Sequence, residues 1–257
     1  VEMPDEITIE VDGRAATADD LAYPVLVNYG HFSAMQVRGR RVRGLDLHLR
    51  RLAAATTELF DADLDPAHVR TLLRHALGAR QDAAVRVAVF QRDRAPAPSV
   101  LVAVREPVDA PVSAQRLMSV PYQRPLPHIK HVGGFGQRYW TRQARGRGFD
   151  DALLTGPGGV IAESSIANVG FWDGTAVVWP DAPCLSGITM QLLESRLPVT
   201  RRARVLLADV PSYAAAFVAN STGVGPLAAI DDMELPVDAD LMKMLGDAYD
   251  AVPWDEI

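Results

Sequence analysis

The sequence predicts an α+β fold, and three observations carry that prediction. The chain opens with strand-like runs joined by tight turns, as in "ITIEVDGRAAT". Runs with helical apolar spacing follow, bounded by residues that cap helices, as in "DPAHVRTLLRHALGA". Strands and helices then succeed one another without the regular βαβα alternation of a doubly wound parallel sheet.

The elements can be justified in order. "ITIEVDGRAAT" reads as strand, Asp-Gly turn and strand, because Asp-Gly supplies the positive φ angles of a two-residue hairpin. "VRGRRVRGL" reads as a second tight hairpin. "DLHLRRLAAATTELF" has Leu45, Leu49, Leu52 and Leu59 on one face and predicts a helix with Asp46 as its N-cap. In the next helix Asp65 caps, Pro66 takes the first position and Gly78 follows the end. "AAVRVAVFQ" and "SVLVAVRE" predict a pair of strands. "PVDAPVSAQRLMSVPYQRPLPHIK" holds Pro107, Pro111, Pro121, Pro125 and Pro127 and reads partly as an extended connector. The composition shift places a domain boundary near residue 115, giving a small domain over 1–115 and a larger one over 116–257. Beyond it come a helix at about 135–147, a hairpin at about 152–179 and a helix opened by "LSGITMQLL". A strand at "AAFVANSTG" and a helix at "DADLMKMLGDAYD" complete the order.

Bulk properties narrow the function classes. A 48% apolar, 23% charged chain of 257 residues can bury a core without staples. The formal charge of −6 argues against a general nucleic-acid binder. A single cysteine, Cys184, excludes an intrachain disulfide and suits a reducing, cytoplasmic location. The acidic start "VEMPDEITIEVDG" has no signal-peptide pattern, and no apolar run is long enough to predict a membrane span. No G-x-G-x-x-G follows a strand, no P-loop is present, and the six histidines show no H-x-x-x-H spacing.

Several residues stand out as candidates. Lysine is rare, with only Lys130 and Lys243 among 26 basic side chains. Lys130 precedes the glycine-rich "HVGGFG"; it is either a solvated surface lysine or an amine placed to condense with a carbonyl. Glu163 lies in the uncharged run "VIAESSIANVGFW", either at an exposed strand end or buried opposite a group such as a protonated pyridine nitrogen. Arg51, in "HLRRL", belongs to a wet helix face or clamps a phosphate with its fork. Gly187, Ile188 and Thr189 open a helix and offer free N–H groups, as an anion site or as an ordinary helix start. Asn220, Ser221 and Thr222, beside glycines, form a turn or a second anion cradle.

Taken in order, "HLRRL", "IKH", "GFDDALLTGPGGVIAESSIANV", "LSGIT" and "NSTGVGP" resemble the fold-type IV pyridoxal-phosphate family of aminotransferases and aminodeoxychorismate lyases. The resemblance runs from about Tyr29 to about Ile230, and its most specific element is the E-S-S-I-A-N block. It implies a small N-terminal α/β domain and a larger C-terminal domain with the cofactor, pyridoxal 5'-phosphate, between them. It also implies a homodimer, with the loop around Tyr29 completing the neighbour's site. By that resemblance Lys130 holds the cofactor aldehyde and shuttles a proton, and Glu163 pairs with the ring nitrogen. Arg51, Gly187, Ile188, Thr189 and the Asn220–Ser221–Thr222 region hold the phosphate, and Tyr29, Arg38 and Arg86 lie near the substrate carboxylate.

The substrate side departs from the family pattern. Ala34 and Met35 replace a usual Phe-Glu pair, Phe135 stands where branched-chain members have a tyrosine, and Met190 ends the Gly-Ile-Thr motif where arginine is common. "IKH" and "IANVGFW" look more like the lyase branch. The leading expectation is an aminotransferase acting on an amino acid and a 2-oxo acid. An aminodeoxychorismate-lyase-like enzyme is the alternative, and a cofactor-free scaffold on the same fold is the non-enzymatic rival.

Overall fold

A computed structural model describes residues 7–110 and 113–257. Residues 1–6 of the acidic start, and Pro111 of the connector, lie outside the described residues. The chain divides into two compact units. The first comprises Val1–Val108, Ile129–Gly133 and Pro253–Ile257; the second comprises Asp109–His128 and Gly134–Val252.

Unit one begins with β1 (Thr8–Val11), β2 (Arg14–Ala15) and α1 (Ala18–Leu26). Asp12 and Gly13 turn the first hairpin with φ of 50° and 80°, as the Asp-Gly pair predicts. Next come β3 (His31–Val37), β4 (Arg41–Arg43), α2 (Leu45–Phe60), α3 (Pro66–Leu77), β5 (Ala83–Phe90) and β6 (Ser99–Arg105). The sheet runs β2-β1-β6-β5-β3 and is antiparallel throughout, with Val87 opposite Val102 and Ala34 opposite Arg86. Leu45, Leu49 and Leu52 of α2 and Val69 and Leu73 of α3 pack on Met35, Val85, Val87 and Val102. Strand β3 therefore alternates: His31, Ser33, Met35 and Val37 are buried, while Phe32, Ala34 and Gln36 are half-buried.

Helix α3 starts and stops as its sequence predicts, with the Asp65 carboxylate accepting from the Ala67 N–H and Gly78 at the C-cap. Helix α2 does not. Asp46 lies in its first turn, and the N-cap is Gly44, left-handed at φ 68° and without a side-chain cap. The Leu45 N–H donates instead to Asp255 Oδ2 at 2.9 Å. A carboxylate distant in sequence thus satisfies the first N–H of the helix.

Unit two contains β7 (Gln115–Val120), α4 (Phe135–Gly146), β8 (Asp151–Thr155), β9 (Ile161–Ser164), β10 (Asn168–Trp172) and β11 (Val177–Pro180). Then follow α5 (Ile188–Glu194), β12 (Thr200–Ala203), β13 (Ala215–Asn220), β14 (Gly223–Ile230), β15 (Met233–Glu234) and α6 (Ala239–Asp250). The sheet order is β12-β11-β10-β13-β14-β7-β8-β9, with β15 beside β14. The β7 pairings with β8 and β14 are parallel, as is β11 with β12. β7 lies inside the proline-rich connector and ends at Val120, just before Pro121, which cannot donate to a ladder. The single hairpin expected at 152–179 is four strands, because Ser164–Ala167 closes an extra tight turn: Ser164 N–H donates to Ala167 O at 2.8 Å. Met190, Leu193, Leu241 and Leu245 from α5 and α6 pack against Trp179 and Phe217.

The chain then returns to unit one as β16 (Trp254–Glu256), antiparallel to β4, with the Arg43 guanidinium 4.4 Å from the centre of the Trp254 ring. Asp255→Ala is expected to cost about 1 kcal/mol, as loss of a helix cap does, whereas Asp46→Ala costs only a few tenths. Urea unfolding of the two variants checks which carboxylate serves α2.

Candidate active site

In unit one, residues 129–133 run beside the start of β3. Phe32 N–H donates to Lys130 O at 2.8 Å, Val132 N–H donates to Gly30 O at 2.9 Å, and His31 and His131 form an antiparallel bridge. This pairing brings Lys130 to Phe32, with Nζ 5.0 Å from the ring centre. Arg86 is a diagonal cross-strand neighbour of Phe32, and its guanidinium carbon lies 3.5 Å from the same ring centre. Two cations thus share one aromatic ring. Arg38 is elsewhere, at the tip of the β3–β4 hairpin, where it donates to Gln36 Oε1 and Val37 O. Tyr29 is 48% exposed and lies edge-on to Phe60.

Beneath β3 lies a polar cluster. Arg50 is exposed, while Arg51 turns inward and donates from Nη2 to Ser33 Oγ at 2.5 Å. Ser33 Oγ is 2.6 Å from His48 Nδ1. Arg51 Nε is buried without a hydrogen-bond partner, and no carboxylate pairs with this guanidinium among the described residues. Burial lowers its pKa to about 10, which leaves it charged at neutral pH. His31 Nε2 is 3.0 Å from Thr56 Oγ1, whose single proton goes to Leu52 O, so the histidine is the donor. Burial first, and the Arg51 charge second, push His31 down to about 4 and His48 well below its ordinary value.

In unit two, Glu163 lies within β9 and is 5% exposed. Its Oε1 accepts from Arg124 Nη1 at 3.1 Å, and its Oε2 accepts from the Leu185 N–H at 3.2 Å. The buried-carboxylate reading of Glu163 is therefore the structural one, and its partner is an arginine that sequence reasoning missed. Arg124 is 7% exposed and also donates to Pro127 O, folding the proline-rich segment onto itself. The available signal was one arginine in the stretch "PYQRPLPHIK".

The rest of the E-S-S-I-A-N block is hydrogen-bonded as well, and Asn168 holds the Leu185 that serves the Glu163 carboxylate. Ser164 Oγ accepts from the Ala167 N–H, Ser165 Oγ donates to Asp151 Oδ1, and Asn168 Nδ2 donates to Leu185 O at 2.8 Å. A side chain at position 187 would collide with the Asn168 amide oxygen, so glycine is required there. Gly187 is the N-cap of α5 and leaves the first helical N–H groups without a side-chain acceptor. Thr189 Oγ1 donates to Asn220 O at 2.6 Å, tying the helix start to the β13–β14 turn. In that turn Asn220 Oδ1 accepts from both the N–H and the hydroxyl of Thr222, so the Asn220 side chain serves the turn itself. Lys130, Arg51, Tyr29, Arg38 and Arg86 thus belong to unit one, and Glu163, Gly187, Ile188, Thr189, Asn220, Ser221 and Thr222 to unit two. No cluster of metal-ligating side chains occurs, and no helix is long and apolar enough to cross a membrane, among the described residues.

Residues 30–230 match the family model for class IV aminotransferases. The chain belongs to this family. As a class IV aminotransferase it is an enzyme of the aminotransferase and lyase type. It is similar to a hypothetical aminotransferase from Mycobacterium tuberculosis in its PLP-bound form, at 20% identity over 96% of this chain and 98% of that one, with a TM-score of 0.82. A branched-chain aminotransferase from the thermophilic archaeon Thermoproteus uzoniensis, with norvaline, is 18% identical over 94% and 93%, TM-score 0.80. A candidate 4-amino-4-deoxychorismate lyase from Legionella pneumophila is 18% identical over 90% and 93%, TM-score 0.79. At these identities the likeness is one of fold. No curated protein matches the chain.

Two outcomes are expected of this geometry. Arg124→Met and Glu163→Gln each destabilise by about 3 kcal/mol, and the double variant by less than the two together, because each single change strands a buried group; a urea double-mutant cycle measures the coupling. A folded His31 pKa near 4 against about 6.5 unfolded means that only the unfolded chain takes up the proton between those values. Stability then falls with pH across that window, by about 2 kcal/mol from pH 7 to pH 5, and His31→Gln loses that part of the slope.

Proposed function

We propose that this class IV aminotransferase uses pyridoxal 5'-phosphate to move an amino group between an amino acid and a 2-oxo acid. The observation that carries the reading is the contrast between its two lysines. Lys243 is exposed and paired with Asp247 at 2.6 Å, which raises its pKa further from that of a usable nucleophile. Lys130 is half-buried and lies with Arg86 around Phe32. Of the two lysines it is the one set in a built environment.

The residues fit the cofactor. A phosphate needs an answering cation, and Arg51 is a guanidinium with a buried, unpartnered Nε and no carboxylate partner among the described residues. A protonatable ring nitrogen needs a carboxylate, and Glu163 is a buried one held in place by Arg124 and the Leu185 N–H. When bound, pyridoxal phosphate supplies an aldehyde that captures amines and a ring that takes up electrons released at the amino acid's Cα.

The chain's own residues do the rest. The Lys130 amine holds the aldehyde carbon while no substrate is present and carries the Cα proton afterwards. Glu163 keeps a proton on the ring nitrogen, and its ion pair with Arg124 fixes the carboxylate's orientation. Arg51 grips the phosphate, with the N–H groups of Ile188 and Thr189 and the Ser221–Thr222 turn as further donors. Arg86, beside Lys130, receives the substrate carboxylate with Tyr29 as a further candidate, whereas Arg38 stands apart at the hairpin tip. The reading extends to a cytoplasmic homodimer; Val25, Leu26 and Val27, exposed at 73%, 82% and 54%, form an apolar run suited to burial against a second copy.

Borohydride treatment of cofactor-loaded protein and peptide mapping should leave a pyridoxyl group on Lys130. An adduct on Lys243 alone, or none on a yellow protein, removes the assignment. Amino acids supplied singly with a 2-oxo acid should show amino transfer. Pyruvate released from aminodeoxychorismate without net amino transfer would assign the lyase reaction instead, and sedimentation as a monomer would remove the dimer.

A further inference from the structure

Arg51 is part of a short chain of buried groups within unit one. Its Nη2 donates to Ser33 Oγ at 2.5 Å, and Ser33 Oγ is 2.6 Å from His48 Nδ1. Ser33 has no exposed surface, and His48 is 4% exposed. The period of two along β3 turns Ser33 inward, and the three-residue step from His48 to Arg51 along α2 places both side chains around it.

The protons in this chain can be assigned by counting. A guanidinium only donates, so Ser33 accepts from Arg51. The Ser33 hydroxyl has one proton of its own, and the acceptor within reach of it is His48 Nδ1. His48 is then neutral with its proton on Nε2, in keeping with the burial and the neighbouring Arg51 and Lys130 charges that lower its pKa. The direction of the chain is thus fixed, Arg51 to Ser33 to His48.

We infer that Ser33 and His48 are positioning residues for the cofactor phosphate: His48 orients the Ser33 hydroxyl, and Ser33 fixes the Arg51 guanidinium so that its other N–H groups meet the phosphate. The inference rests on the pyridoxal-phosphate reading. An arginine side chain has several rotatable bonds and loses much freedom on binding an anion. Anchoring one nitrogen in advance leaves less to lose, and the buried, unpartnered Nε marks a donor with capacity for that anion. Neither Ser33 nor His48 was among the expected phosphate ligands, and neither touches the phosphate in this arrangement.

Pyridoxal, which lacks the phosphate, provides the control. Cofactor-free chain is titrated with pyridoxal 5'-phosphate and separately with pyridoxal, following absorbance. Ser33→Ala and His48→Leu should each weaken pyridoxal phosphate about tenfold while leaving pyridoxal within about twofold. The double variant should be no worse than either single one, because the two residues act in series. His48→Asn, which keeps an acceptor near the Nδ1 position, should retain most of the affinity. Ser33→Ala removes a single oxygen and decides the matter if His48→Leu does not fold. A Ser33→Ala protein with wild-type preference for the phosphorylated form overturns the inference, and so does equal weakening of both ligands, which marks a merely structural role. Wild-type chain without that preference, or an Arg51→Met variant that keeps it, overturns the phosphate role of Arg51 itself and the inference with it.

Discussion

A charge removed from water must be answered, and the answer given to Glu163 organises much of unit two around it. The isolated carboxylate would cost several kcal/mol, more than most single interactions return. Arg124 and the Leu185 N–H meet that cost from two directions. To do so, Arg124 draws in the proline-rich segment through Pro127 O, and Leu185 is held by Asn168. Asn168 in turn leaves room only for glycine at 187, which sets the uncapped start of α5. One buried oxygen pair thus ties together a connector, a turn and a helix start. Unit one holds the opposite case, a guanidinium at Arg51 answered by a neutral hydroxyl and by no carboxylate among the described residues. A neutral partner relieves little of the electrostatic cost, so that position favours an anion from outside the chain.

Much of the fold was readable where the governing interactions are local. Helix α3 carries its cap, its first-turn proline and its terminating glycine in consecutive residues, and it forms as read. The Asp12–Gly13 turn likewise needs only its own two φ angles. Reading failed where distant residues decide. Asp46 matches a cap pattern, yet Asp255 takes part of that work because β16 returns beside β4. β7 lies in a proline-rich stretch, but its prolines flank the strand rather than interrupt it, and two parallel partners supply its hydrogen bonds.

The candidate site shows the same division. Helical register alone distinguishes inward Arg51 from exposed Arg50. The E-S-S-I-A-N block stood out in the sequence, and each of Glu163, Ser164, Ser165 and Asn168 proves to make a specific hydrogen bond. Arg124 was invisible because nothing in "PYQRPLPHIK" says which of its side chains turns inward. Ser33 was hidden for a related reason: a serine at an inward strand position reads as a small polar residue until the helix above it is known to carry a histidine and an arginine. The Asn220 side-chain oxygen is engaged within its own turn, the turn role that its place beside glycines also suggested.

The 129–133 segment has a consequence beyond the chemistry of Lys130. β3 is the last strand of its sheet, and an open strand edge is a template on which other chains can add. The Lys130 and Gly30 carbonyls accept from Phe32 and Val132 along the beginning of that edge, so the segment acts as its cover. The lysine proposed to hold the cofactor is therefore also part of a guard against self-association. Changes that loosen the backbone on either side of Lys130 would be felt first as poor solubility on expression, before any effect on catalysis could be measured.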